Sequence, residues 1–215
     1  MLHKLTLPLN DIDILALHVG DEVLLSGTLL TARDAAHKWL IDTFVKNPQA
    51  PSVDDQAIHD DLTRILDHGA IYHCGPLISG ELANDGSTDH IRFLSAGPTT
   101  SIREEIYEPS IMEHFHVSVI IGKGGMGTAT LAACQQVPAV YLHAVGGAGT
   151  LIAQTVQHVQ AVYKPEFGIP EAIWIIEIKD FPAVVTMDAH SQSLHSLVAK
   201  NSKRILTGLL ACDTE

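Results

Sequence analysis

At 215 residues, with 46% apolar and 18% charged residues, the chain is long enough to bury a core and too apolar to be disordered. Its formal net charge of −12 argues against nucleic acid or an anionic membrane as a partner. No apolar run reaches the roughly 18–20 residues of a membrane span, and Met1-Leu-His-Lys-Leu-Thr6 lacks a signal h-region. Three scattered cysteines (Cys74, Cys134, Cys212) form neither a CxxC pair nor a disulfide framework, which makes a reducing cytoplasm the expected location.

In chain order, residues 22–30 read as a strand, and Thr31 is placed to cap a helix carrying Ala35, Ala36, Trp39, Leu40 and Phe44. Asn47-Pro48 stops that helix, residues 48–56 resemble a linker, and a short helix covers 57–67. Residues 70–74 read as a strand, Asn84-Asp-Gly86 as a hairpin tip, and 91–96 as another strand. Then come a helix at 104–114, a strand at 116–121, a helix at 128–136, a strand at 138–145 and a helix near 150–156. Residues 172–179 and 183–188 read as two strands separated by Phe181-Pro182, and a polar helix at 195–210 follows. Strand–turn–helix recurs three times between 91 and 156, so an α/β fold with partly parallel strands is expected. The β-rich flanks call for a mixed sheet, or two sheets sharing a helix layer.

Two turns carry the chemistry. Ala96-Gly-Pro-Thr-Thr-Ser-Ile-Arg103 and Gly122-Lys-Gly-Gly-Met-Gly127 each follow a strand-like run and each deliver a cation, Arg103 or Lys123. A guanidinium, an ammonium and exposed backbone N–H groups together hold a small anion. Arg33, at the first turn of the helix after the first long strand, sits at a helix N-terminus against the macrodipole, unless Asp34 neutralises it. His37 lies four residues on, on the same helical face, as a second hydrogen-bond donor or as an ordinary core histidine.

Gly122, Gly124 and Gly127 match a dinucleotide-binding fingerprint, but no acidic residue follows between Met126 and Pro165 to hold a ribose. The glycines are equally explained by a turn requiring positive φ at Gly124 and Gly125. No HExxH, paired Cys/His set or GxSxG elbow occurs, so the thirteen histidines do not read as a metal site. Thr99 and Thr100 stand between the two cations. A threonine hydroxyl becomes a base only where neighbouring cations favour its alkoxide, and capping of the next helix accounts for these residues equally well.

These two turns, with Thr31-Ala-Arg-Asp-Ala-Ala-His37 and Ala172-Ile-Trp-Ile-Ile-Glu-Ile-Lys-Asp-Phe-Pro182, resemble class I fumarases. The likeness is to the β subunit of two-subunit iron–sulfur fumarases and L(+)-tartrate dehydratases, equivalent to the C-terminal domain of one-chain forms. It runs from about residue 3 to 195. It implies a swivelling β/β/α domain over residues 1–215, reversible hydration of fumarate to malate, and a [4Fe-4S] cluster carried by a separate α subunit. Tartrate dehydration to oxaloacetate is the alternative, and a non-catalytic carboxylate-binding module a more distant one. Matched position by position, the resemblance makes Arg33, Arg103, Lys123 and Thr100 ligands of the substrate and Thr99 the base at C3. Asp34, His37, Gly122, Gly124 and Gly125 support them. An αβ hetero-oligomer, possibly doubled, is implied. The chain has Gly124-Gly-Met126 where one-chain forms have Gly-Asn-Arg, and Ser191-Gln-Ser193 where the family usually has Gly-Asn-Ser.

Overall fold

A computed structural model describes residues 1–47, 49–82 and 87–212. Its strands are β1 (Leu2–Thr6), β2 (Glu22–Thr31), β3 (Ala70–Tyr72), β4 (Leu77–Ser79), β5 (Arg92–Ser95), β6 (Val119–Gly122), β7 (Val140–His143), β8 (Val156–Tyr163) and β9 (Ile173–Met187). The α-helices are α1 (Asp11–Leu15), α2 (Asp34–Leu40), α3 (Val53–Leu66), α4 (Glu108–Phe115), α5 (Thr128–Gln136), α6 (Gly149–Ala153) and α7 (Leu194–Cys212).

The main sheet runs β1-β2-β3-β6-β7-β9-β8, and β9 pairs back onto β2. Strands β2, β3, β6, β7 and β9 thereby close a barrel-like ring, with β1 and β8 attached outside it. Neighbours from β1 through β7 are parallel, whereas β9 is antiparallel to β2, β7 and β8. The expected α/β architecture with a mixed sheet and flanking helices is what forms.

Both faces of the ring strands are buried, which explains their near-continuous apolar sequences. Ala70, Tyr72, Val119, Ile121, Val140, Leu142, Trp174 and Ile176 share one core with Ile14 of α1 and Ile152 of α6. Their alternates Ile71, Ile120, Tyr141, Ile173 and Ile175 pack against Leu40, Leu62, Leu66, Ile111 and Phe115 of helices α2, α3 and α4. The period of two thus sorts each strand between two cores.

Several expectations need correction. The stretch read as a linker is helical from Val53, because the Ser52 hydroxyl accepts the Asp55 N–H at 3.1 Å and Asp54 and Asp55 complement the helix dipole. The helix expected at 104–114 is a 3₁₀ turn (Ser101–Glu104) followed by α4, which Pro109 starts late. Strand β5 does not join the main sheet but pairs with β4 in a separate two-stranded sheet. The two late strands are one, bent at Asp180 with φ +52°. Pro182 sits opposite Leu24 of β2, but on the other edge of β9 the β8 pairing ends at Ile178 and the β7 pairing starts at Val184, so that edge has no strand there to need an N–H. Strands β1, β4 and β8 and helix α1 were not anticipated. The Pro48 stop and the Asn84-Asp-Gly86 turn lie outside the described residues. Among the described residues no helix is long and apolar enough to cross a membrane.

Candidate active site

Because β2, β3, β6 and β7 are parallel, their C-terminal ends open onto one rim, where crevices in α/β sheets bind ligands. Arg33 follows β2, His73 and Gly75 follow β3, Lys123 follows β6, and Gly146-Gly147 follow β7. Residues 96–104 cross this rim as a strap. Ala96 donates its N–H to Gly149 O at 2.9 Å, Thr99 to His73 O at 2.8 Å, and Ser101 to Lys123 O at 3.1 Å. Lys123 N–H returns to Thr99 O at 3.2 Å, and Cys74 bridges Pro98. Threonine and lysine are thereby fixed side by side, as the two motifs suggest.

Arg33 is not in the first turn of α2 but is its N-cap, in extended conformation, with no side-chain capping bond. Thr31 is buried at the end of β2 and caps nothing. The Arg33 guanidinium packs over Gly75, where a Cβ would come within 2.7 Å of Nη1. Its Nη1 lies 3.3 Å from Glu171 Oε1, and its buried Nε has no partner. Asp34 pairs with Arg103 rather than with its neighbour Arg33. That ion pair ties the strap to the α2 N-terminus and leaves Arg103 54% exposed. Lys123 is half-buried and forms no ion pair among the described residues. Its stem passes Gly146, at 3.6 Å from where a Cβ would stand.

The threonines are not caps. Thr100 precedes the 3₁₀ turn without a side-chain bond to it, and it is exposed. Gly124 and Gly125 take φ +83° and +80°, as the turn reading required. Gly125 also has His195 of α7 lying on it, 2.3 Å from any added Cβ. At Gly122 a Cβ would stand 1.9 Å from Ser101 Oγ. The expected free N–H groups at the head of α5 are occupied. The Glu105 carboxylate accepts from Gly127, Ala129 and Thr130 N–H at 2.7, 2.9 and 3.2 Å. An anion at this rim is therefore met by side-chain cations, not by the α5 N-terminus.

Under the rim lies a buried polar cluster that sequence reasoning found only at His37. His37 and His73 both place Nε2 2.9 Å from Glu108 Oε2. The His37 Nδ1–H donates to Arg33 O at 2.9 Å, and His73 Nδ1 lies 2.9 Å from Ser101 Oγ. Tyr141 OH donates to the same Ser101 Oγ at 2.8 Å. Burial pushes the Glu108 carboxyl up, but the hydrogen bonds and charges of the two histidines outweigh it and hold it down at about 2. Burial works against charge on His37, yet Glu108 raises it above the ordinary histidine value. His73 is lowered by burial, with the charge of His37 adding to that. Glu104, alongside, is pushed up to about 7 by burial, with Asp34 and Glu108 reinforcing the shift. No spacing rule connects residues 37, 73 and 108, so only the strand order reveals the cluster.

Neither Cys74 nor Cys134 suits an iron–sulfur cluster. Cys74 and Cys134 sit in opposite cores, fully buried, and burial pushes each thiol up to about 12. A cluster needs thiolates gathered at one point.

Residues 4–198 match the family described as fumarase C-terminus. The chain is 43% identical over 195 residues to a putative fumarate hydratase class I of Geobacillus stearothermophilus, covering 91% of this chain but only 34% of that protein. It is 34% identical to the L(+)-tartrate dehydratase subunit beta of Escherichia coli K12, covering 93% of this chain and 88% of that one. With a putative L(+)-tartrate dehydratase subunit beta of Methanocaldococcus jannaschii it shares 36% identity, covering 92% and 93%. The family match spans most of the chain and the relatives align over nearly all of it: the chain belongs to the fumarase C-terminus family.

Proposed function

We propose that residues 1–215 form the β-type domain of a cytoplasmic hydro-lyase that reversibly hydrates fumarate to malate and works with an α partner. The observation that supports it is the placing of Arg33, Arg103, Lys123 and Thr99 on one rim of the ring. A four-carbon diacid has two carboxylates, and three cations, two just past strand ends and one on the strap, suit both. Arg33 and Arg103 offer forked donors, and Lys123 a point charge. Thr100, exposed on the strap, adds a hydroxyl within the same turn.

In the dehydration direction, Thr99 Oγ takes the proton at C3 while the C2–O bond breaks and hydroxide leaves. The C–H electron pair becomes the double bond, and hydration runs the same path backwards. A lone threonine is too weak a base, so the adjacent cations favour its alkoxide and stabilise the charge that gathers on the neighbouring carboxylate. Among the described residues the Thr99 hydroxyl has no protein partner, which leaves it available. A [4Fe-4S] cluster, when bound, would supply Lewis-acid chemistry, and an α partner would carry it, since the buried Cys74 and Cys134 do not suit one.

The test is anaerobic reconstitution with a cluster-bearing α chain and assay on fumarate and on L(+)-tartrate. Arg103→Lys is expected to lower kcat/KM about 10- to 100-fold through loss of the forked contact, and Thr99→Ala to abolish turnover. Full activity in either variant refutes the assignment. L(+)-tartrate dehydration is the second reading, favoured because the chain spans most of the length of the tartrate dehydratase subunits and a third of the Geobacillus protein.

A further inference from the structure

We propose that Glu108, His37 and His73 are positioning residues: one buried carboxylate, shared by two imidazoles, holds the Arg33 turn and the Thr99–Lys123 strap in a single register. The proposal rests on the reading of those turns as the substrate site.

Donor accounting fixes the arrangement. Arg33 O only accepts, so His37 Nδ1 carries a hydrogen. Both Nε2 atoms point at the same Glu108 oxygen at 2.9 Å, and a carboxylate accepts from both. His37 then donates from both ring nitrogens and is an imidazolium. His73 differs: among the described residues the buried Ser101 Oγ has two partners, His73 Nδ1 and Tyr141 OH, and Tyr141 donates to it. The remaining acceptor for the serine hydrogen is a bare His73 Nδ1, so His73 is neutral with its proton on Nε2. The directions of the three ionisation shifts agree with this placement.

The ends of the relay give its purpose. One end grips the main-chain carbonyl of Arg33. The other reaches Ser101, whose N–H is bonded to Lys123 O, while the His73 carbonyl takes the Thr99 N–H. Stability alone does not explain such a set, because buried ion pairs are often matched or bettered by apolar residues of the same volume. The charged and titratable groups facing it are Glu104, with Oε2 3.7 Å from His37 Nδ1, Tyr107, with its ring centroid 6.5 Å from that of His37, Asp34 and Arg103 at the rim, and Tyr141 and Cys134 from the sheet and α5.

Two measurements decide. In the full chain labelled with ¹⁵N-histidine, imidazole NMR is expected to show one ring protonated on both nitrogens and one protonated on Nε2 only. Both should stay unchanged from about pH 6 to about pH 8, where free histidines titrate. Two neutral rings, free titration of either, or a stoichiometric metal ion on these three residues (their ligand atoms lie within 4.8 Å of one another) overturns the proposal. In the reconstituted enzyme, His37→Gln should lower kcat/KM about 10- to 100-fold, because an amide cannot donate at both ends. His73→Gln should lose several-fold less, since an amide donates to Glu108 and accepts from Ser101. Equal losses in the two variants, or none in His37→Gln while Arg103→Ala is inactive, overturn the proposal. Full activity in Arg103→Ala instead removes the substrate assignment, and the imidazole signals still report where the proton sits.

Discussion

Glu104 is a carboxyl held at about 7 in a fold that keeps it almost entirely from water. Its folded value lies above the unfolded one, so its influence is harmless below about pH 4.5 and destabilising as pH rises through 7. Glu104→Gln should therefore match the native protein in thermal melts near pH 4.5 and exceed it near pH 8, by about 1–3 kcal/mol. An equal offset at both pH values would mean that Glu104 is ionised throughout. Residue identity at the rim was largely legible in the sequence, because Arg33, Thr99, Arg103 and Lys123 stand in recognisable turns. Their partners were not. Asp34 pairs with Arg103, 69 residues away, and Arg33 with Glu171 on the far side of the chain. Such choices follow from strand order, which local patterning does not encode.

At the scale of elements, the helix after the glycine turn is the clearest success, forming over Thr128–Gln136 as its sequence suggests. What the sequence hid is that its cap comes from another element. Glu105, just past the 3₁₀ turn, takes three N–H groups and the Thr130 hydroxyl. Glu105→Ala should lower stability by about 1–2 kcal/mol in urea titrations, the range of a lost N-cap. No loss would show that water replaces the carboxylate without penalty. The late strand was misjudged for a related reason. A proline reads as a break until it is known that one edge of its strand has no partner at that point.

Across the whole molecule, the helix expected to be polar at the C-terminus is instead amphipathic and barely attached. His195 in its first turn lies against Gly125 and bonds Thr186 at 2.9 Å, but residues 196–210 are exposed, including Leu197, Val198, Ile205, Leu206 and Leu209. Ending the chain after Lys200 should leave the thermal midpoint within about 2 °C, because little burial is lost. A larger drop would place that helix in the stability of the ring.

The antiparallel pairing of β9 with β2 along its length has a kinetic meaning. Residues 22–31 are made well before residues 173–187, and each is the other's partner. The ring stays open until β9 has left the ribosome, with loop closure paid across some 150 residues. On the proposed reading of the rim, a nascent chain would hold a diacid only after β9 has closed the ring.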